Sequence, residues 1–130
     1  MPQLLKGGKW VFGWTVVQEN RSIKIPPEAF MEYGFIIGER CVLIRGSKRS
    51  GGFGLARFEH ISENTHLGTC ILANVEIRGD ASVIIPEGVE LAPGDWLLAV
   101  RGSRHALGFM QHEPIVDAAS NYLGIEVFPS

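Results

Sequence analysis

No stretch of this chain approaches the roughly 20 consecutive apolar residues that a bilayer-spanning helix needs. Cysteine is scarce: Cys41 and Cys70 are the two in 130 residues, and neither has a second cysteine at metal-ligand spacing. That removes the framework of a structural zinc site, and a disulfide between the two would be odd in a reducing compartment. Cys41 lies in the apolar run Cys41-Val42-Leu43-Ile44 and reads as a buried, inert thiol. Met1 to Lys9 has a two-leucine apolar patch and no small-residue cleavage site, so no signal peptide is expected. The expectation is a cytoplasmic protein with no membrane association and no cofactor.

Catalytic signatures are missing as well. A lysine-threonine Walker ending and the dinucleotide fingerprint with its strand and long helix are both absent. His60, His66, His105 and His112 share no helical spacing with an acid or thiol, and Ser47 and Ser103 lack a glycine elbow. Glu59, Glu63, Glu76 and Asp80 are scattered carboxylates on a linker and a strand. These absences predict a binding protein and not an enzyme.

What the chain does have is glycine, 16 of them, in a composition that is 45% hydrophobic and 20% charged. That describes a turn-rich globular domain long enough to bury a core. The net charge of −2 hides an asymmetry. Residues 1–58 hold nine Lys or Arg against four Glu, and residues 59–130 hold three Arg against ten Asp or Glu. A basic half can meet a polyanion, or the two halves can attract each other or a neighbouring subunit.

The chain is also internally repeated. Ser22-Ile23-Lys24-Ile25-Pro26 aligns with Ser82-Val83-Ile84-Ile85-Pro86 at an offset of 60. Gly38-Glu39, Arg45-Gly46-Ser47 and Gly52-Phe53 align with Gly94-Asp95, Arg101-Gly102-Ser103 and Gly108-Phe109 at an offset of 56. Over the ungapped stretches 22–28 and 38–53, nine of 23 positions are identical, where chance gives roughly one or two.

Each copy reads as strand, strand, short helix, strand, strand. In the first, Trp10 to Gln18 is rich in aromatic and β-branched residues, and Ser22 to Ile25 alternates polar with apolar. Pro26-Pro27-Glu28 opens a helix of barely two turns, carrying Ala29, Phe30 and Tyr33 on one face and stopped by Gly34. Cys41 to Ile44 is a strand covered on both faces, Gly46 to Gly52 a loop, and Phe53 to Phe58 the return. The second copy has a reduced helix over Pro86 to Leu91, a strand over Trp96 to Val100 and a loop over Gly102 to Gly108. The boundaries expected are repeat one at 9–58, a linker at 59–69, repeat two at 70–112 and a tail at 113–130 with a short helix and a last strand at Ile125–Phe128.

The order Ile25-Pro26-Pro27-Glu28, Gly34-Phe35, Gly38-Glu39 and Arg40 to Ile44 resembles the AbrB/MazE/SpoVT family of swapped-hairpin barrels. The resemblance covers residues 14–58 and, through Ile85-Pro86 and Gly94-Asp95, residues 72–112. It implies a mainly β fold with short helices, two tandem ββαββ units interlocked in one swapped-hairpin, cradle-loop barrel. It also implies a DNA-binding transcriptional regulator or antitoxin-type protein. The family's turn arginine, four residues before the proline, corresponds to Ser22 and Ser82 here, with Arg21 adjacent.

The candidate phosphate-contacting residues are therefore Arg21, Lys24, Lys48 and Arg49, with Lys9 beside them. A second expectation assigns the glycine-rich loop, through Gly46, Ser47, Gly51 and Gly52, to a small phosphorylated ligand whose oxygens backbone N–H groups could cradle. A third is a barrel that binds a protein partner, or associates with itself, with residues 113–130 as the natural contact segment.

Overall fold

β-Branched and aromatic residues set the first strand, β1 at Val11–Val16, and a two-residue turn at Glu19-Asn20 returns the chain as β2, Ser22–Lys24. The computed structural model describes residues 2–3, 10–45, 52–59, 71–103, 105–112, 114–122 and 124–129. Helix α1, Pro27–Tyr33, starts with a proline in its first turn, where a missing N–H is harmless, and has Glu28 near its positive end. It ends at Gly34 in the left-handed region (φ 69°), whose N–H closes onto Met31 and Phe30 carbonyls. β3 (Arg40–Arg45) and β4 (Phe53–Arg57) complete the first half.

The second half supplies β5 (Ile71–Glu76), β6 (Ser82–Ile84), β7 (Trp96–Arg101) and β8 (Ala106–Met110). No helix forms between β6 and β7: residues 86–91 make turns instead of the reduced helix that the repeat predicts. Gly88 at the centre and four fewer residues leave too little chain to offset the cost of nucleation. β8 begins at Ala106, so the loop expected over Gly102 to Gly108 is shorter. The tail forms helix α2, Pro114–Ser120, and a two-residue strand, β9, Val127–Phe128.

The protein is mainly β. Seven strands join in the order β5-β3-β4-β8-β7-β1-β9, and β2 and β6 form a separate two-stranded ribbon. β9 runs parallel to β1; all the other pairings are antiparallel.

Pairings between the halves follow one rule. β1 pairs with β7 through Val16↔Trp96, Thr15↔Leu97, Trp14↔Leu98, Gly13↔Ala99 and Val11↔Val100. β5 pairs with β3 through Glu76↔Arg40, Val75↔Cys41, Asn74↔Val42, Ala73↔Leu43 and Ile71↔Ile44. The offsets of 60 and 56 found in the sequence convert one register into the other, including the irregularity that skips residue 12 in one strand and residue 72 in the other. Ile23↔Val83 and Phe53↔Phe109 pair residues with their own counterparts. The turns repeat too: Arg21 and Ala81 take φ of 66° and 59°, and Gly38 and Gly94 take 85° and 92°.

The main apolar cluster lies between the large sheet and the ribbon with α1. Ile23, Ile25, Leu43 and Leu55 of the first half meet Val83, Ile85, Leu97 and Phe109 of the second, all essentially without exposure. A smaller cluster buries Val11, Trp14, Leu98 and Val100 beneath Ile115, Val116 and Ala119 of α2. The tail thus packs on its own sheet.

One expectation is corrected here: the sheet is not closed into a barrel. β5 and β9 stand at its two ends, and the ribbon lies apart without a ladder to either. The Lys24 N–H, which could have extended a ladder toward β1, instead donates to the buried hydroxyl of Thr15 at 3.1 Å.

Candidate functional site

The ribbon and its turns hold two of the residues that the sequence singles out. Arg21 sits half-buried in the turn before β2, and its guanidinium faces the irregular segment after β6. Nε donates to the Ile85 carbonyl at 3.0 Å, Nη2 to those of Pro86 and Val89 at 2.8 Å each, and Nη1 to that of Leu91. In the first half the equivalent segment is α1, whose own turns bind its carbonyls: Phe30 N–H, for instance, donates to Pro26 at 2.9 Å. Where α1 satisfies itself, the counterpart of Arg21 is Ala81. The arginine therefore supplies donors to a segment that, unlike α1, forms no helix of its own. Four of its five N–H donors are committed to the protein.

Lys24 is half-buried and reaches across the ribbon, its Nζ donating to the Asp80 carbonyl. The Asp80 carboxylate accepts from the Ser82 hydroxyl; this bond outweighs desolvation and, with the lesser help of the Arg78 charge, holds it below the usual carboxylate range. Around the ribbon, residues 19–28 and 78–90 carry three cations (Arg21, Lys24, Arg78) and five anions (Glu19, Glu28, Asp80, Glu87, Glu90). This face repels a polyanion more than it attracts one.

Other charges tie the halves together. Arg101 pairs with Glu32 of α1, holding that carboxyl low chiefly through their hydrogen bond. The Tyr33 hydroxyl donates toward the Ser103 and Ala106 carbonyls, at 2.9 and 3.1 Å, and burial pushes its pKa up to about 12. Arg57 pairs with Glu39 at 2.9 Å within the first half, and Glu39 lies beside Cys41. Burial, with that carboxylate adding to it, raises the Cys41 thiol to about 12.

Arg45 differs. It is the counterpart of Arg101, it is exposed at the end of β3, and it makes no ion pair among the described residues. The counterpart of Glu32, which pairs with Arg101, is Gly88 or Ala92, depending on which offset applies, and neither is an acid. In sequence Arg45 leads directly to Lys48 and Arg49.

Lys9, Gly46, Ser47, Lys48, Arg49 and Gly51 lie outside the described residues, as does the linker beyond residue 59. Gly52 is described, and its place is steric: a Cβ there would stand 1.7 Å from the Phe109 carbonyl oxygen. Among the described residues no three His, Cys, Asp or Glu side chains gather to hold a metal ion. No helix among them is long and apolar enough to cross a membrane. Sequence reasoning missed the clefts along β5, because its contrast with β1 shows only when the two registers are superposed.

No protein-family model matches this chain, and no curated protein matches it in sequence.

Proposed function

We propose that this chain is an internally duplicated AbrB-like protein of the swapped-hairpin kind, a cytoplasmic, non-enzymatic DNA-binding regulator or antitoxin-type protein. The observation that carries this reading is the equivalence of the pairings between the halves: β1 with β7 and β5 with β3 share one register through the offsets of the sequence, while β2 with β6 and β4 with β8 join counterparts directly. Two separate swapped chains would meet in the same way; fusing them makes the contact intramolecular. DNA contact falls on the segment between β3 and β4, where Arg45, without an ion pair among the described residues, precedes Lys48 and Arg49 in sequence, and less on the ribbon that holds Lys24.

The test is fluorescence anisotropy of labelled random duplex DNA at about 50 and 200 mM salt. Affinity should fall steeply with salt. Replacing Arg45, Lys48 and Arg49 by alanine should lower the salt slope by about 1 for each phosphate that is no longer neutralised. Lys24→Ala should matter less. Failure to bind at low salt overturns the DNA reading. A second reading, contact with a protein partner, is favoured by the acid-rich ribbon and by the internal use of Arg21.

A further inference from the structure

The two edges of the large sheet are finished differently. At one, β9 lies against β1: the Trp14 N–H donates to the Glu126 carbonyl at 2.8 Å and the Thr15 hydroxyl to that of Phe128 at 3.4 Å. At the other, no strand lies beyond β5 among the described residues. The shared register makes Asn74 and Val75 the counterparts of Trp14 and Thr15, the two residues that receive β9. The Asn74 N–H consequently points away from β3, as the Trp14 N–H points away from β7. Asn74, Val75 and Glu76 line two adjoining clefts of 370 and 430 Å³ along this edge.

The β5 groove is not a copy of the β1 groove. Trp14 packs edge-on against Trp96 at 5.6 Å, whereas their counterparts are Asn74 and Arg40, joined by an Nε–Oδ1 hydrogen bond of 3.3 Å. Gly13 makes room for the tail, since a Cβ there would meet the Phe128 ring at 2.7 Å and the Glu126 carbonyl at 2.8 Å. Its counterpart is Ala73. A strand shaped like the chain's own tail therefore does not fit β5. Arg40 completes one cleft and Arg78 the other, against one acid, Glu76. Both arginines are exposed and neither forms an ion pair among the described residues, although Arg78 also faces Asp80.

We infer that the β5 edge is a docking groove for an extended acidic peptide segment of another protein, added to the sheet as a further strand. A peptide carbonyl accepts from the Asn74 N–H, and alternate carboxylates face Arg40 and Arg78. Main-chain pairing supplies affinity in this mode and side chains supply selection. A nucleic acid has the charge but no ladder to offer. The inference stands independently of the DNA reading, which uses a different surface.

The test uses the full chain and three fluorescein-labelled probes: a decapeptide alternating glutamate with valine, the same peptide with lysine for glutamate, and a duplex DNA. The acidic peptide should bind at least about tenfold more tightly than the basic one. Asn74→Pro should abolish that binding with the melting temperature kept, since an edge strand tolerates proline where the N–H faces outward. N-methylation of the peptide's alternate amides should abolish it too, without touching the protein fold. Arg40→Glu with Arg78→Glu should reverse the preference between the peptides. Equal binding of both peptides, indifference to N-methylation, or displacement of the acidic peptide by duplex DNA would each overturn the inference.

Discussion

Replacing Arg21 by alanine tests whether its guanidinium stands in for the missing second helix. The guanidinium donates to four carbonyls, of Ile85, Pro86, Val89 and Leu91, in a segment that forms no helix; the Pro86 and Val89 oxygens also accept from the Val89 and Leu91 N–H groups. Hydrogen bonds from a charged donor contribute about 1.5–3 kcal/mol each when measured singly, but four sharing one donor do not add. Arg21 is half-buried and water can reach part of the gap, so a loss of about 3–4 kcal/mol follows. In a domain of this size that lowers the melting temperature by about 10–15 °C. Arg21 also sits at φ 66°. Glycine relieves a left-handed cost of about 1 kcal/mol that alanine keeps, so Arg21→Gly should melt a few degrees above Arg21→Ala. Circular dichroism melts of both variants decide the matter. A change under about 2 °C in Arg21→Ala, with DNA affinity abolished, would refute the clamp and return Arg21 to phosphate contact.

Three further outcomes are expected. Ala81→Gly, at φ 59° in the counterpart turn with no clamp to lose, should stabilise by about 1 kcal/mol in the same melts. Gly13→Ala should push β9 off β1, because both obstructing groups lie within 2.8 Å of the new Cβ. Hydrogen exchange at Trp14 should then rise, with about 1–3 kcal/mol of stability lost. The Cys41 thiol, raised by burial from its ordinary 9.0 to about 12, should resist thiol reagents at pH 8 until the protein unfolds. The folded state holds this proton more tightly than the unfolded one. The thiol's contribution to stability is therefore whole below about pH 9 and lost as pH climbs toward 12, which urea midpoints at pH 8 and 10 would register.

Local patterns place the strands well because they depend on neighbouring side chains. Alternation at Ser22–Ile25 and apolar Cys41–Ile44 point to β2 and β3, and Gly34 marks the end of α1. The offsets of the repeat foreshadow which strands carry equivalent registers. Three features needed tertiary context. Whether the sheet closes depends on whether a three-residue ribbon can ladder onto β1, and the Thr15 hydroxyl that intercepts Lys24 is invisible in a strand pattern. Arg21 reads as a free cation in sequence, since its acceptors lie 64 to 70 residues away. The groove along β5 arises from what β1 carries and β5 does not.

Joining two equivalent units on one chain removes the constraint that a symmetric dimer imposes. In a homodimer every substitution appears twice, so a change that helps one edge alters both. Here the counterparts have separated. Arg21 stands against Ala81, a seven-residue helix against a turn, Gly13 against Ala73, and Trp96 against Arg40. These differences are linked. The segment that stands in place of a second helix offers the carbonyls to which Arg21 donates, and it carries no acid at either counterpart of Glu32. Glycine at 13 admits the tail on one edge, while alanine at 73 keeps a strand of that shape from the other. Among the described residues one edge of the sheet carries β9, the other carries no further strand, and Arg45 at the end of β3 makes no ion pair. If reversing a single member of a pair, such as Ala73→Gly, let an added tail peptide bind β5 with β9 still in place on β1, the divergence itself would be shown to decide which strand each edge accepts.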